Sequence, residues 1–243
     1  MAMKKLLVLG FCLWCGTAMG AYDFAQDFIH TDNNPNGVWA YGFIDTNNGN
    51  SFTAYNSHTV GDAYLWNWCL NGDPDTNGNV NKAFGGSMDH PEWNGMSWED
   101  DMACAMTNNS SESWTKWTTV AFIAPSAGQW SVAISFENRV MGGAETRVFV
   151  AINGTPVLLD AIDGFAGSSH GAPAVAPVTT DGYMSAYNGT VTLAQGDTVA
   201  FGAYGDGLHQ VAMEANIDVV PEPATLSLLA AGAVMGLIRR NRR

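Results

Sequence analysis

Three groups of residues in this 243-residue chain have the types and spacing to do chemistry. The first is the run Gly72-Asp73-Pro74-Asp75-Thr76-Asn77-Gly78. Asp73, Asp75 and Asn77 offer oxygen side chains at alternate positions, and Gly78 permits a sharp turn, which is the front half of a calcium loop. The twelfth position of such a loop should be a bidentate glutamate but is Phe84, and no helices flank the run. Two readings stay open: a loose Ca2+ site on these three side chains, or a solvated Asx-rich turn. The second group is tryptophan. Eight of the nine lie between Trp39 and Trp130. Sugar rings lay their CH faces on exposed aromatic rings, with Asn and Asp alongside to take the hydroxyls. Trp66, Trp68, Trp93, Trp98 and Trp114 have such neighbours. Trp93 and Trp98 sit in Gly/Asn/Pro-rich loop sequence and are the glycan-binding candidates. Trp130 falls on an apolar stripe, and Trp117 lies in the strand before it, so these two read as core. The third group is Cys69 and Cys104. In an exported chain they could form a disulfide, closing a loop of about 35 residues worth roughly 3–4 kcal/mol, or they could stay buried thiols.

Catalytic constellations are poor. His30, His58, His90, His170 and His209 show no metal-ligand spacing such as H-x-x-x-H. No G-x-S-x-G elbow, phosphate loop or dinucleotide fingerprint occurs. Glu99-Asp100-Asp101 is a carboxylate run, but glycosidic hydrolysis needs two acids set apart across a cleft, which adjacency does not supply. No catalytic residue is assigned and the chain reads as a non-enzyme.

In the elements that must hold these side chains, the apolar pattern has period 2. Trp130, Val132, Ile134 and Phe136 alternate with Ser131, Ala133, Ser135 and Glu137. Val148, Val150 and Ile152 alternate with Arg147, Phe149 and Ala151, then Asn153-Gly154 signals a hairpin into Val157–Ile162. A further hairpin is expected from Thr190–Leu193 through Gln195-Gly196-Asp197 to Thr198–Tyr204. Val211, Met213, Ala215 and Ile217 form the inward side of a last strand. Earlier strands are expected at Gly37–Ile44, Phe52–Tyr55, Tyr64–Cys69 and Lys116–Ile123. No long amphipathic helix is evident. The expected fold is all-β, a two-sheet β-sandwich of jelly-roll type rather than the seven-strand immunoglobulin type, because the strands are more numerous and the early connections long.

The two ends read differently from the middle. Lys4 and Lys5, the apolar run Leu6–Cys15 and Ala18-Met19-Gly20 form a secretory signal peptide over residues 1–20, with cleavage expected between Gly20 and Ala21. The β-sandwich domain then covers 21–219. Residues 220–243 hold Val220-Pro221-Glu222-Pro223, an apolar segment Ala224–Ile238, and Arg239, Arg240, Arg242 and Arg243. About fifteen helical residues reach roughly 22 Å, short of the 30 Å bilayer core, so a short transmembrane helix is expected with the arginines on the cytoplasmic side. Removing both ends leaves 4 basic and 22 acidic residues, a net charge of −18 against −13 for the whole chain. Such a charge excludes nucleic acid as a partner. With 47% hydrophobic and 11% aromatic residues the chain is not disordered.

The C-terminal triplet, apolar run and arginines together resemble the PEP-CTERM protein-sorting signal of exopolysaccharide-producing Gram-negative bacteria. Val220, Pro221, Glu222, Pro223, Arg239 and Arg240 carry the match. The resemblance implies processing by an exosortase, transient anchoring in the inner membrane through the C-terminal helix, and release to the cell surface or extracellular matrix. A second resemblance is spread over the middle, in "NPNGVWAYGF" (Asn34–Phe43), "MDHPEW" (Met88–Trp93), "WTTVAFIAPSAGQWSVAISF" (Trp117–Phe136), "VFVAINGTPVL" (Val148–Leu158) and "VTLAQGDTVAFGAYG" (Val191–Gly205). These blocks look like exported, carbohydrate-binding-like jelly rolls, and they mark strands and turns rather than chemistry. The expectation is an exported, non-catalytic surface or matrix protein needing no cofactor. The alternative is a carbohydrate-binding module that retains extracellular polysaccharide, and a remote one is a hydrolase of that polymer.

Overall fold

The computed structural model describes residues 21–28, 33–60, 65–72, 78–83, 88–90, 96–98, 103–107, 115–138, 146–162, 184–205 and 210–220. The expected signal peptide, the Asp73–Asn77 run, Trp93, and the Pro221–Arg243 tail, where a short helix is expected, lie outside these residues. Among the described residues no helix is long and apolar enough to cross a membrane.

The strands are β1 (Tyr22–Asp23), β2 (Trp39–Asp45), β3 (Ser51–Ala54), β4 (Ser57–Val60), β5 (Leu65–Cys69), β6 (Asn79–Ala83), β7 (Met88–His90), β8 (Met96–Trp98), β9 (Ala103–Met106), β10 (Lys116–Ile123), β11 (Gly128–Asn138), β12 (Thr146–Ile152), β13 (Thr155–Ile162), β14 (Met184–Leu193), β15 (Thr198–Gly205) and β16 (Gln210–Val219). One helical turn, α1 (Phe24–Asp27), follows β1. The first sheet runs β14-β11-β16-β9-β6-β5-β4, with β1 also pairing β16. The second runs β13-β12-β15-β10-β2-β3, and β7 and β8 form a separate two-stranded ribbon. All pairings are antiparallel, which makes the jelly-roll sandwich that the period-2 pattern demands.

The core lies between the two main sheets. Trp130, Val132, Ile134 and Phe136 of β11 face Val120 and Phe122 of β10, Val148 and Val150 of β12, and Phe201 of β15, all within 2% of full burial. Trp130 stands edge-on to Phe122 with centroids 5.4 Å apart. At one end α1 drives Phe24 between the sheets, 5.5 Å from Trp39 and 5.6 Å from Phe201. Asp23 caps this turn by accepting from the Gln26 N–H at 3.1 Å, satisfying one of its orphan donors.

The Asn153-Gly154 signal holds. Both residues have positive φ, 49° and 75°, as a two-residue primed turn requires, and β12 and β13 pair across it. The second expected hairpin is not one. β14 pairs β11 in the first sheet, whereas β15 pairs β10 and β12 in the second. The turn at Ala194–Asp197 therefore carries the chain from one sheet to the other. It is locked by Asp197, whose carboxylate accepts from the Ala194 N–H at 2.8 Å, and by the Gly196 N–H donating to the Ala124 carbonyl at 2.9 Å. The Ala194 N–H, and after it a side-chain hydrogen bond from Asn153, hold the Asp197 carboxyl below its ordinary pKa. The β10–β11 turn crosses at the same end, so the Ala124 carbonyl ties the two crossings together.

Candidate functional site

The structure sorts the sequence-predicted residues unevenly. Trp98 lies in β8, paired with Met88 of β7, while Trp93 and the Asp73, Asp75 and Asn77 run fall outside the described residues. Trp68, grouped above with the sugar-facing tryptophans, belongs to the core. It is 1% exposed and lies parallel to Tyr41, centroids 5.6 Å apart. Its strand places Asn67 and Cys69 on the opposite face, so the polar neighbours that suggested a sugar platform are on the wrong side of the sheet.

Of the two readings open for Cys69 and Cys104, the structure holds the buried thiols and not the disulfide. Cys69 is in β5 and Cys104 in β9, with β6 between them, and both are thiols in the structure. Two strand spacings set their Cα atoms at least roughly 9.5 Å apart, beyond the reach of about 7 Å for a disulfide. They lie instead in a buried polar patch on the outward face of the first sheet. Asn67, Asn81 and Cys104 fall on one cross-strand line, and Asn79, Met106 and Gln210 on the next. Gln210 donates to the Cys104 sulfur at 3.2 Å, and Asn81 donates to Asn79 at 2.8 Å. All are buried, so this patch is internal.

The described aromatic face that sequence reasoning missed is the outward side of the second sheet. Trp117 of β10 lies flat on Tyr204 of β15, centroids 4.0 Å apart and planes 11° apart, and Phe149 of β12 approaches Trp117 at 5.1 Å. Phe149 is paired across the ladder with Gly202. Ala151, Ala200, Ala121 and Ala40 form one line across four strands beside these rings. Phe52, 41% exposed, covers Gly42 at the edge. The available signal was Trp117's parity. Val120 and Phe122 point inward, so Trp117, Thr119 and Ala121 must point outward.

A second locus is a half-open cleft of about 520 Å³ where β1 and α1 lie against the first sheet. Its walls are Asp23, Ala25, Gln26, Lys82, Glu214 and Asn216. β1 pairs Asp23 with Asn216 of β16. Lys82 of β6 is 7% exposed, and its ammonium donates to the Ala25 carbonyl at 2.6 Å, tying β6 to α1. Glu214 and Asn216 are exposed on the outward face of β16. The cleft thus combines two carboxylates, two carboxamides and one anchored ammonium. Nothing in the sequence joined these residues, because 191 positions separate Asp23 from Glu214.

Residues 219–243 match the PEP-CTERM protein-sorting motif. The chain therefore carries the C-terminal signal of an exported protein that an exosortase processes. No curated protein matches the chain. Among solved structures it is similar to a family 35 carbohydrate-binding module from Clostridium thermocellum, at 12% identity over 43% of this chain and 72% of that one, TM-score 0.27. It is also similar to the K1 cleaved adhesin domain of Lys-gingipain from Porphyromonas gingivalis W83, at 10% identity over 83% and 99%, TM-score 0.30. A third is the CBM22-1 xylan-binding domain of Paenibacillus barcinonensis Xyn10C, at 12% identity over 57% and 88%, TM-score 0.24.

Proposed function

We propose that this chain is a non-catalytic protein of the cell surface or extracellular matrix, released there by an exosortase. The observation that carries the reading is where the fold ends. Val219 is the last residue of β16 and pairs with Trp130, and the Val220 N–H donates to the Gln129 carbonyl at 2.8 Å. Pro221-Glu222-Pro223 follows directly in sequence, so a cut beside it leaves every described strand and every described core residue in place. The sandwich is a finished cargo with a detachable address. Mass spectrometry of surface-extracted protein should show a mature chain that begins at Ala21 and lacks Arg239 and Arg240. Recovery of the intact C-terminus in the membrane fraction would point to a permanent anchor instead.

A second reading, retention of extracellular polysaccharide, is favoured by Trp93 and Trp98, which sit in Gly/Asn/Pro-rich sequence, Trp98 in the short β8 ribbon strand. Aromatic contacts contribute about 0.5–1.5 kcal/mol beyond their area, so several are needed for useful affinity. Affinity electrophoresis in polymer-loaded gels tests it: Trp93→Ala and Trp98→Ala should each run faster than the parent while melting at the same temperature. Asp73, Asp75 and Asn77 add a calcium expectation. At a hundred times the dissociation constant, Ca2+ would raise stability by about 2.7 kcal/mol, and chelator would reverse it. An unchanged melting curve leaves the solvated turn.

A further inference from the structure

We propose that the cleft between α1 and β16 is a binding site for one neutral sugar unit, held through its hydroxyls. The inference rests on the polysaccharide-retention reading and gives it a second, non-aromatic contact. Its volume of about 520 Å³ falls in the range of small-ligand sites, about 300–1,000 Å³. Its lining is the group set that replaces water around a polyol. A carboxylate accepts from two adjacent hydroxyls at once, and carboxamides both donate and accept. Hydrogen bonds to ionised groups are roughly twice as strong as neutral ones, so Asp23 and Glu214 are the strongest acceptors present.

The cleft is also built rather than incidental. Lys82 is more than nine-tenths buried, and its bond to the Ala25 carbonyl fixes one wall. Asp23 is fixed at two points, by its ladder pairing with Asn216 and by its capping bond to Gln26. The opposite wall is rigid sheet, with Glu214 and Asn216 two residues apart on the same face of β16. Little ordering remains to be done on binding, which keeps the entropic cost low. Charge selects among sugars. Two carboxylates against one ammonium, itself engaged by the Ala25 carbonyl, leave the cleft net negative in a chain of net charge −13, so uronic acids and sulfated sugars are disfavoured.

The test is titration of the full mature chain, followed by NMR chemical shifts, with methyl glucoside, methyl galactoside, methyl mannoside and methyl galacturonide. At least one neutral glycoside should bind at millimolar strength, moving the Asn216 and Gln26 amide signals, while the galacturonide does not. Glu214→Ala should weaken that binding by about tenfold or more, as loss of a charge-assisted bond predicts. Glu214 is solvent-exposed, so the variant keeps its fold. Preferential binding of the galacturonide, or neutral binding unchanged by Glu214→Ala, or no binding of any glycoside, overturns the proposal. The two readings fail separately. A polymer retained in gels by the parent and lost only in Trp93→Ala and Trp98→Ala sinks the cleft and keeps the retention reading. Glycoside binding lost in Glu214→Ala, from a protein that no polymer gel retards, keeps the cleft and sinks retention.

Discussion

The outward faces of the two main sheets start from the same alternation and end differently. On the first sheet, β14, β11 and the second half of β16 show small or charged side chains to solvent. Thr190, Ser131 and Asp218 lie on one cross-strand line, and Asn188, Ala133 and Asn216 on the next. On the second sheet the matching positions are Phe149, Tyr204, Trp117 and the line of four alanines, nearly all buried. The lesson is that one apolar face in a strand pattern fixes the inward side only. The outward side is free to become a second apolar layer, and in β10, β12 and β15 it has done so. That is why these strands read as near-continuous apolar runs while β11 and β16 alternate cleanly.

The largest expected effect tests whether the second layer matters as much as the core. Trp130→Ala should cost about 3–5 kcal/mol in urea unfolding, the usual range for a buried aromatic. Phe149→Ala, on the outward face but 1% exposed, should cost about the same. A cost below about 1 kcal/mol for Phe149→Ala would return that face to ordinary surface. Next comes Gly202→Ala. A Cβ there would lie 1.9 Å from the Thr118 carbonyl oxygen, so β10 and β15 must part, at about 1–3 kcal/mol. An unchanged unfolding midpoint would show that the two strands tolerate wider spacing.

A pH effect follows from the inner layer. Tyr55 is buried beside Thr118, and burial pushes its phenol pKa far above the ordinary 10.0, with the Thr118 hydrogen bond opposing. The unfolded chain ionises this phenol near pH 10 and the folded chain does not. Its contribution is thus fully present below pH 10 and falls as pH rises, by up to about 1.4 kcal/mol per pH unit. Tyr55→Phe should flatten that alkaline limb, read from unfolding midpoints between pH 9 and 11. An identical slope in the variant would assign the limb to other groups. The smallest effect belongs to the first sheet's outward face. Ser131→Lys, on an exposed site, should change stability by no more than about 0.5 kcal/mol. A larger loss would mean that this face is covered too.

Alternation together with short apolar runs was enough to place β2, β3, β5, β10 to β13, β15 and β16 within a few residues, and Asn153-Gly154 was enough to turn β12 into β13. Sheet steric rules are local, so the chain states them residue by residue. β4, β6, β7, β8 and β9 escaped. β6 carries Asn79, Asn81 and Lys82, whose polar character argues against a buried strand, and only the neighbouring β5 and β9 make it one. The C-terminal motif was fully legible, because an address must be read by an enzyme from contiguous residues.

What the chain could not state was pairing between distant elements. Whether β14 and β15 share a sheet is settled by which neighbours bury their inward faces, since the turn between them serves either outcome. Whether Cys69 meets Cys104 depends on β6 coming between them. The cleft of Asp23, Lys82 and Glu214 exists only after the first strand docks on the last. Local sequence sets φ, ψ and face through sterics and hydrophobic spacing. Long-range juxtaposition is decided by burial summed over the whole core, and no single stretch carries that sum.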